Sequence, residues 1–210
     1  MHAGALEPYE LSLLTAGDLA IHTHDGRVLM LDVDRWLAAA DAADDTVLQR
    51  CIGPTLDIGC GPGRLVAELT TRGIAALGLD IAGTAVELTK HRGAAAVLRS
   101  VFAQVPGEGR WPTVLLIDGN IGIGGDPRRL LERVRQLLAP RGHVIVETHA
   151  DAEIDERLVV RFSRGGRPSG PPFAWAHVGR VRLLSAAAEI GYVEAESWSS
   201  GGRTFVSLLR

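Results

Sequence analysis

The stretch "TLDIGCGPGRLVAEL", residues 55–69, decides how this 210-residue chain folds. A short apolar run reaches an acid, Asp57. Glycines then occupy alternate positions, Gly59, Gly61 and Gly63, before a mixed apolar and polar run begins at Arg64. The first run reads as a strand and the second as a helix, so the glycines sit at a strand-to-helix joint. That joint must bend sharply and bring backbone close to whatever it faces, which glycine permits because it lacks Cβ and enters positive φ freely. In open α/β sheets ligands bind outside the C-terminal ends of strands. The first N–H groups of a helix placed there favour a polar or negatively charged ligand group.

The next apolar run, "IAALGLD", closes on Asp80, 21 residues after Gly59. A carboxylate at that place accepts the hydroxyls of a ribose. Arg64 stands where the third glycine of a dinucleotide fingerprint belongs, and no G-x-x-x-x-G-K-[ST] cradle is present. The ligand expected is a nucleoside whose other end is not a pyrophosphate.

Strands and helices continue to alternate in "AGTAVELTKHRG", "AAAVLR", "TVLLID" and "GHVIVETH". Asp126 is a natural cap with Pro127 at the first helical position, and Leu130, Leu131, Val134, Leu137 and Leu138 mark one buried face. The pattern predicts a doubly wound α/β sheet. "YVEAESWSSGGRTFVSLLR" gives two strands joined at Gly201-Gly202, too close for a helical crossover and therefore antiparallel. Residues 19–24 and 27–31 form a hairpin about Asp25-Gly26. "DRWLAAADAADDTVLQRC" is helical with a break near Asp44, "ERLVVRFSRGGRP" is a β-ribbon, and "AHVGRVRLLSAAAEIGY" is helical. We read one domain, with a lead-in or lid segment at 1–53, a core at 54–210 and a substrate-side excursion at 151–177.

The bulk properties narrow the partners. A net charge of −3 lacks the basic surplus that grips nucleic acid, so none is expected. No apolar run approaches the roughly 20 residues that span a membrane. The start "MHAGALEPYE" is not a secretory leader, and two cysteines make no disulfide framework, which together point to a reducing cytoplasm.

"LDIGCGPG" followed by "GLDIA", and then "TVLLIDGN" and "LLAPRGHVIVE", resemble the class I S-adenosylmethionine-dependent methyltransferases. The resemblance covers about residues 54–150, and in topology the C-terminal hairpin. It implies a Rossmann-like, seven-stranded, three-layer α/β/α sheet, mostly parallel with the last strand antiparallel. It implies S-adenosyl-L-methionine as cofactor and S-adenosyl-L-homocysteine as product. By the same resemblance Asp57, Gly59, Cys60, Gly61 and Gly63 surround the methionyl end. Asp80 binds the ribose, and Ile81, Val101 and Phe102 flank the adenine. Asp118, Gly119 and Asn120 lie beneath the reactive sulfur. Ser100 stands where many relatives carry an aspartate for the adenine amino group, and a hydroxyl can accept the same bond.

Methyl transfer from a sulfonium is an in-line displacement, in which orientation alone supplies about 7–11 kcal/mol in favourable cases. A base is needed only where the nucleophile must lose a proton. Glu147 and His149 in "VETHA" lie two apart, on one side of a strand end, and His149 is the first choice for a base. His22 and His24 share a face and belong either to a lid or to an H-x-H metal pair; no third ligand is evident, so no metal is expected. Trp36, Trp175 and His177 are candidates to line an apolar substrate slot. The glycines of "DGNIGIGGDP" imply close backbone approach or mobility, and Arg157, Arg161, Arg164 and Arg167 form either a solvated face or an anion site. The function expected is methyl transfer to a small-molecule oxygen, nitrogen or carbon. The rivals are a catalytically silent cofactor-binding partner protein and a nicotinamide-dependent oxidoreductase.

Overall fold

A computed structural model describes residues 6–210. Residues 1–5, part of the stretch read above for a leader, lie outside it. In order the elements are α1 (Glu7–Thr15), β1 (Leu19–Thr23), β2 (Val28–Leu31), α2 (Val33–Leu37), α3 (Ala42–Leu48), β3 (Thr55–Ile58), α4 (Arg64–Thr71), β4 (Ala76–Asp80), α5 (Gly83–His91) and β5 (Ala96–Leu98). There follow β6 (Trp111–Leu116), a 3-10 turn (Asn120–Gly125), α6 (Pro127–Leu137), β7 (Leu138–Thr148), β8 (Asp155–Arg164), β9 (Arg167–Pro168), β10 (Phe173–Val178), α7 (Arg180–Glu189), β11 (Val193–Ser200) and β12 (Arg203–Leu209).

The main sheet has seven strands in the order β11-β12-β7-β6-β3-β4-β5. The β7, β6, β3, β4 and β5 strands run parallel, and β12 enters antiparallel to both β7 and β11. Burial of both faces explains the continuous apolar runs. Val114, Leu116, Val144 and Val146 pack with Leu130, Leu131, Val134 and Leu137 of α6 on one face. The alternate residues Leu115, Ile117, Ile145 and Phe205 pack with Val47 and Leu48 of α3 and Leu65 and Leu69 of α4 on the other. Asp126 caps α6, accepting the Arg129 N–H at 3.1 Å. The chain runs outward from β3 to β4 and β5, then returns past β3 to β6. The strand order therefore reverses between β3 and β6, and opens a crevice at their C-terminal ends.

A second sheet, β10-β8-β1-β2 with β9 beside β8, stands over that crevice. It joins the two segments read separately from the sequence. The β1 strand of the 19–31 hairpin pairs antiparallel with β8 of the excursion, His22 lying opposite Arg161. Two expectations need correction. The helical break falls at residues 38–41, and Asp44 lies inside α3, because Asp41 and Asp44 form a reciprocal capping box that starts the helix there. Ala176–Val178 are strand, not helix, because "FAWAHV" alternates with period two and pairs with β8.

The β3–α4 corner is held from behind by Thr89 of α5, whose hydroxyl lies 3.0 Å from the carbonyl oxygens of Gly61 and of Ala85. A Cβ on Gly63, where φ is +81°, would sit 2.5 Å from the Thr89 side chain. Gly63→Ala should therefore destabilise by about 2–4 kcal/mol, combining left-handed backbone strain with overpacking. In urea titrations the Gly63→Ala/Thr89→Ala pair should recover at least about 1 kcal/mol relative to the sum of the single changes. Strict additivity would show that Thr89 does not dictate this glycine.

Candidate active site

The corner turns with φ of 71°, 54° and 81° at Gly59, Gly61 and Gly63. Its N–H groups are already engaged. Gly59 and Cys60 donate to the Leu79 carbonyl at 2.8 and 3.0 Å, and Gly63 donates to Cys60. Gly61 donates to the Asp80 carboxylate at 2.9 Å, whose other oxygen accepts the Ala82 N–H at 2.9 Å. The glycine N–H groups are thus spent within the fold, and α4 begins at Arg64 with no side-chain cap on its first N–H groups. Asn120 fixes the corner from above, donating through Nδ2 to the Ile58 and Gly59 carbonyls at 2.9 Å each. Burial pushes the Asp80 carboxyl above the usual range, while the two N–H bonds oppose that shift.

Beside the corner lies a partly buried ion cluster of Arg35, Arg64 and Arg203 with Asp44, Asp118 and Glu147, which the more exposed Asp41 joins at 3.5 Å from Arg35 and 3.9 Å from Arg203. Arg64 grips Asp44 through Nε at 2.8 Å and Asp118 through Nη1 at 2.6 Å. Arg203 forks onto Glu147 at 2.8 and 2.6 Å and reaches Asp44 at 2.7 Å. Arg35 closes on Asp118 at 3.1 Å. The Asp118 N–H donates to Glu147 at 2.7 Å, and Asp118 itself adopts a φ of 58°. Burial works against the Asp44 carboxylate, but hydrogen bonds from Arg64 and Arg203 hold its pKa well below the ordinary value. Asp57 is a further acid next to this set. Burial pushes it up to about 7, with Arg64 opposing and the charges of Asp118, Asp80 and Asp44 adding to the rise.

Above the corner is a cavity of about 780 Å³. Its far wall is aromatic. Tyr9 stands edge-on to Trp36 at 6.0 Å and stacks on Phe162 at 5.8 Å; Phe162 meets Phe173 at 4.8 Å, and Phe173 meets Trp175 at 6.3 Å. Next to this row the His149 and His177 rings stack at 5.3 Å. The backbone sets that contact, because the His149 N–H donates to the Val178 carbonyl at 2.9 Å and ties the end of β7 to β10. Gly122 and Gly125 let the 3-10 turn press against β10. A Cβ on either would strike Ala176 and Trp175, or Ala174.

Most residues singled out from sequence meet here. Gly59, Cys60, Gly61, Asp80, Ile81, Ser100, Val101, Phe102, Asp118, Gly119, Asn120, Glu147, His149, Trp36, Trp175 and His177 all line the cavity. Asp57 and Gly63 stand behind the corner and do not line it. His22 and His24 do not line it either: strand alternation sends Ile21 inward and His22 outward. None of Arg157, Arg161, Arg164 and Arg167 lines this cavity. Glu147 cannot serve as a base, since both its oxygens are gripped by Arg203 and one also accepts the Asp118 N–H. His149 is disqualified by its hydrogen bond. Its Nδ1 accepts the Asp151 N–H at 3.0 Å, so the neutral ring carries its proton on Nε2 and offers a donor rather than a lone pair. Sequence reasoning missed Tyr9, Arg35, Arg203, Phe162 and Phe173. For Tyr9 a signal existed in "EPYE", with proline at the start of a helix and acids in its first turn.

Asp57 gives this site a pH signature. The folded protein keeps the Asp57 proton up to about pH 7, whereas an ordinary aspartate loses it near 3.8. Between those values the native state binds more protons, so this group makes stability fall as pH rises. Asp57→Asn removes that penalty, on the order of a few kcal/mol. The thermal midpoint of the variant minus that of the wild type should be several degrees larger at pH 8 than at pH 5. A difference that does not change with pH would refute the assignment.

A family model described as a methyltransferase domain matches residues 52–178, more than half of the chain. Among curated proteins none matches in sequence. A solved S-adenosylmethionine-dependent methyltransferase from Bacteroides fragilis, in complex with S-adenosyl-L-homocysteine, has a TM-score of 0.80 at 20% identity, over 99% of this chain and 96% of that one. The 1,6-didemethyltoxoflavin-N1-methyltransferase of Burkholderia thailandensis has a TM-score of 0.64 at 16% identity, over 97% and 88%. The glycopeptide N-methyltransferase MtfA has a TM-score of 0.62 at 15% identity, over 81% and 94%. The domain match carries the family and the structural likenesses carry the fold: this chain belongs to the methyltransferases, on the class I fold of the S-adenosylmethionine-dependent enzymes.

Proposed function

We propose that the protein methylates a small, flat, largely apolar acceptor. The observation that carries this is one cavity with two unlike halves, a glycine corner beside Asp80 and an aromatic wall built by Tyr9 of α1, Trp36 of α2 and Phe162, Phe173 and Trp175 of the second sheet. The corner fits S-adenosylmethionine in kind. The N–H groups of Gly59, Cys60, Gly61 and Gly63 are engaged within the fold, and the Asp80 carboxylate stands beside them. A carboxylate there suits ribose hydroxyls and a cofactor whose methionyl end carries an ammonium and a sulfonium.

When bound, S-adenosylmethionine supplies a methyl group already activated by positive sulfur. The chain's own residues then have three tasks. Asp80, with two of its roughly four lone-pair sites taken by N–H groups, keeps the others for ribose hydroxyls. Ile81, Val101 and Phe102 give the adenine apolar contact. The Ser100 hydroxyl accepts the Phe102 N–H at 3.3 Å and retains a lone pair for the adenine amino group. Glu147 acts as a positioning residue that holds Asp118 in place through Arg203 and the Asp118 N–H.

Helices α1 and α2 with strands β1, β2, β8 and β10 form the acceptor side and exclude water. Helix α1 closes the corner: the Tyr9 hydroxyl lies near Gly61, and Glu10 accepts the Thr84 N–H of α5 at 3.2 Å. The two cysteines, both free thiols, accord with a reducing compartment. The assay is incubation of the purified chain with methyl-labelled S-adenosylmethionine and a metabolite mixture, with label expected in the small-molecule fraction. Asp80→Ala should weaken S-adenosylhomocysteine binding at least tenfold by calorimetry. Unchanged affinity would remove the ribose assignment.

A further inference from the structure

We propose that His177 is the base that takes the acceptor's proton and that Glu156 and Arg27 position it. This rests on the methyl-transfer reading of the cavity. Glu156 of β8 and His177 of β10 are directly opposed partners in the antiparallel ladder, so the fold itself sets their side chains face to face. The His177 Nδ1 lies 3.6 Å from Glu156 Oε2. That separation exceeds a hydrogen bond, but it places a negative charge against Nδ1 and favours the tautomer protonated there. Glu156 is itself held, since Arg27 Nη1 lies 3.1 Å from each of its oxygens and Arg27 Nε pairs with Asp25 at 3.0 Å.

With Nδ1 facing Glu156, Nε2 keeps its lone pair in the cavity that His177 lines. This is the reverse of the stacked ring of His149, whose lone pair is taken by the Asp151 N–H. The charged and titratable groups around His177 are Glu156 on β8, Arg27 on the hairpin and His149 after β7. Burial, then the His149 charge, lowers the His177 pKa below the ordinary histidine value, against the pull of Glu156. The ring is therefore unprotonated, and able to accept, at neutral pH.

The acceptor class follows from the wall that adjoins this base: an aromatic or heteroaromatic molecule bearing a weakly acidic O–H or N–H. The acceptor's lone pair forms the bond to the methyl carbon, and the carbon–sulfur bond breaks with its electron pair left on sulfur. The acceptor's proton passes to His177 Nε2 and from there to solvent. Sulfur loses its positive charge as one proton is released, so charge balances.

The test uses the full chain labelled with 15N-histidine and saturated with S-adenosylhomocysteine. Long-range proton–nitrogen spectra are assigned by loss of the His177 signals in His177→Gln. The His177 ring should carry its proton on Nδ1 above its titration midpoint. That midpoint should fall in Glu156→Gln, because a carboxylate that favours the imidazolium is gone, and should recover in Glu156→Asp. The same preparations receive methyl-labelled S-adenosylmethionine and a panel of phenols and N–H heteroaromatics. His177→Gln should lower kcat at least about a hundredfold and flatten the rise of rate with pH. Its affinity for S-adenosylhomocysteine should stay within twofold.

A proton on Nε2, a midpoint indifferent to Glu156→Gln, or transfer by His177→Gln within threefold of wild type overturns the proposal. If no member of the panel is methylated, the proposed acceptor class falls. If S-adenosylhomocysteine also fails to bind, the methyl-transfer reading falls with it. In either case the ring spectra still decide the His177 tautomer.

Discussion

The partly buried cluster of Arg35, Arg64 and Arg203 with Asp44, Asp118 and Glu147 is the constraint on which the rest of the site depends. Removing charges from water is costly, and the cost is recovered only if every member finds its partners. Those partners come from α2, α3, α4, the turn after β6, β7 and β12. The cluster therefore fixes in one set of contacts the relative placement of six elements far apart in sequence. It holds the antiparallel β12 against β7 at the end where the cavity opens. It also stabilises the left-handed backbone of Asp118, a conformation an aspartate adopts at some cost. Burial and then the charges of Asp118, Asp80 and Asp44 keep the proton on the adjoining Asp57, with only Arg64 opposing.

Upon that floor the chain divides its labour between two sheets. The parallel sheet supplies the glycine corner, Asp80 and His149 at the end of β7; the antiparallel sheet supplies Phe162, Phe173, Trp175 and His177, and α1 and α2 complete the wall with Tyr9 and Trp36. The two sheets share buried packing, with Ala176 and Val178 of β10 in the core of the parallel sheet and Leu19 and Phe162 against α5, and they also meet at the 3-10 turn and at the His149 N–H on the Val178 carbonyl. Gly122 and Gly125 are small because β10 passes so close, which accounts for much of the glycine density in "DGNIGIGGDP".

What the sequence revealed and what it hid separate along a physical line. The corner, Asp80, the cap at Asp126 and the terminal hairpin were legible because each is decided by neighbours within a few residues. The second sheet was not, since its central pairing brings His22 against Arg161, and neither strand announces the other. The ion cluster was hidden for the same reason. Asp44 and Arg203 lie 159 residues apart and read singly as solvated surface charges. The state of His149 was hidden at a finer level: residue type and strand position are visible in "VETHA", but the hydrogen bond of its Nδ1 to the Asp151 N–H is not.

The geometry also separates holding the cofactor from accelerating the reaction. Asp80 and the carboxylates beside the corner favour a cationic sulfonium, but that charge disappears as the methyl group leaves. An interaction that is stronger before transfer than during it contributes to binding and not to rate. The same logic favours exchange of the spent cofactor, whose neutral sulfur is held less tightly by an electronegative surface. Acceleration must come from groups whose interaction grows along the reaction: the wall that aligns the acceptor, and a base that gains charge as sulfur loses it. Such a base is best placed away from the corner, across the cavity, where its developing positive charge has a carboxylate of its own. In this chain that description fits the Glu156 side of the second sheet, where His177 stands directly opposite Glu156 in the ladder.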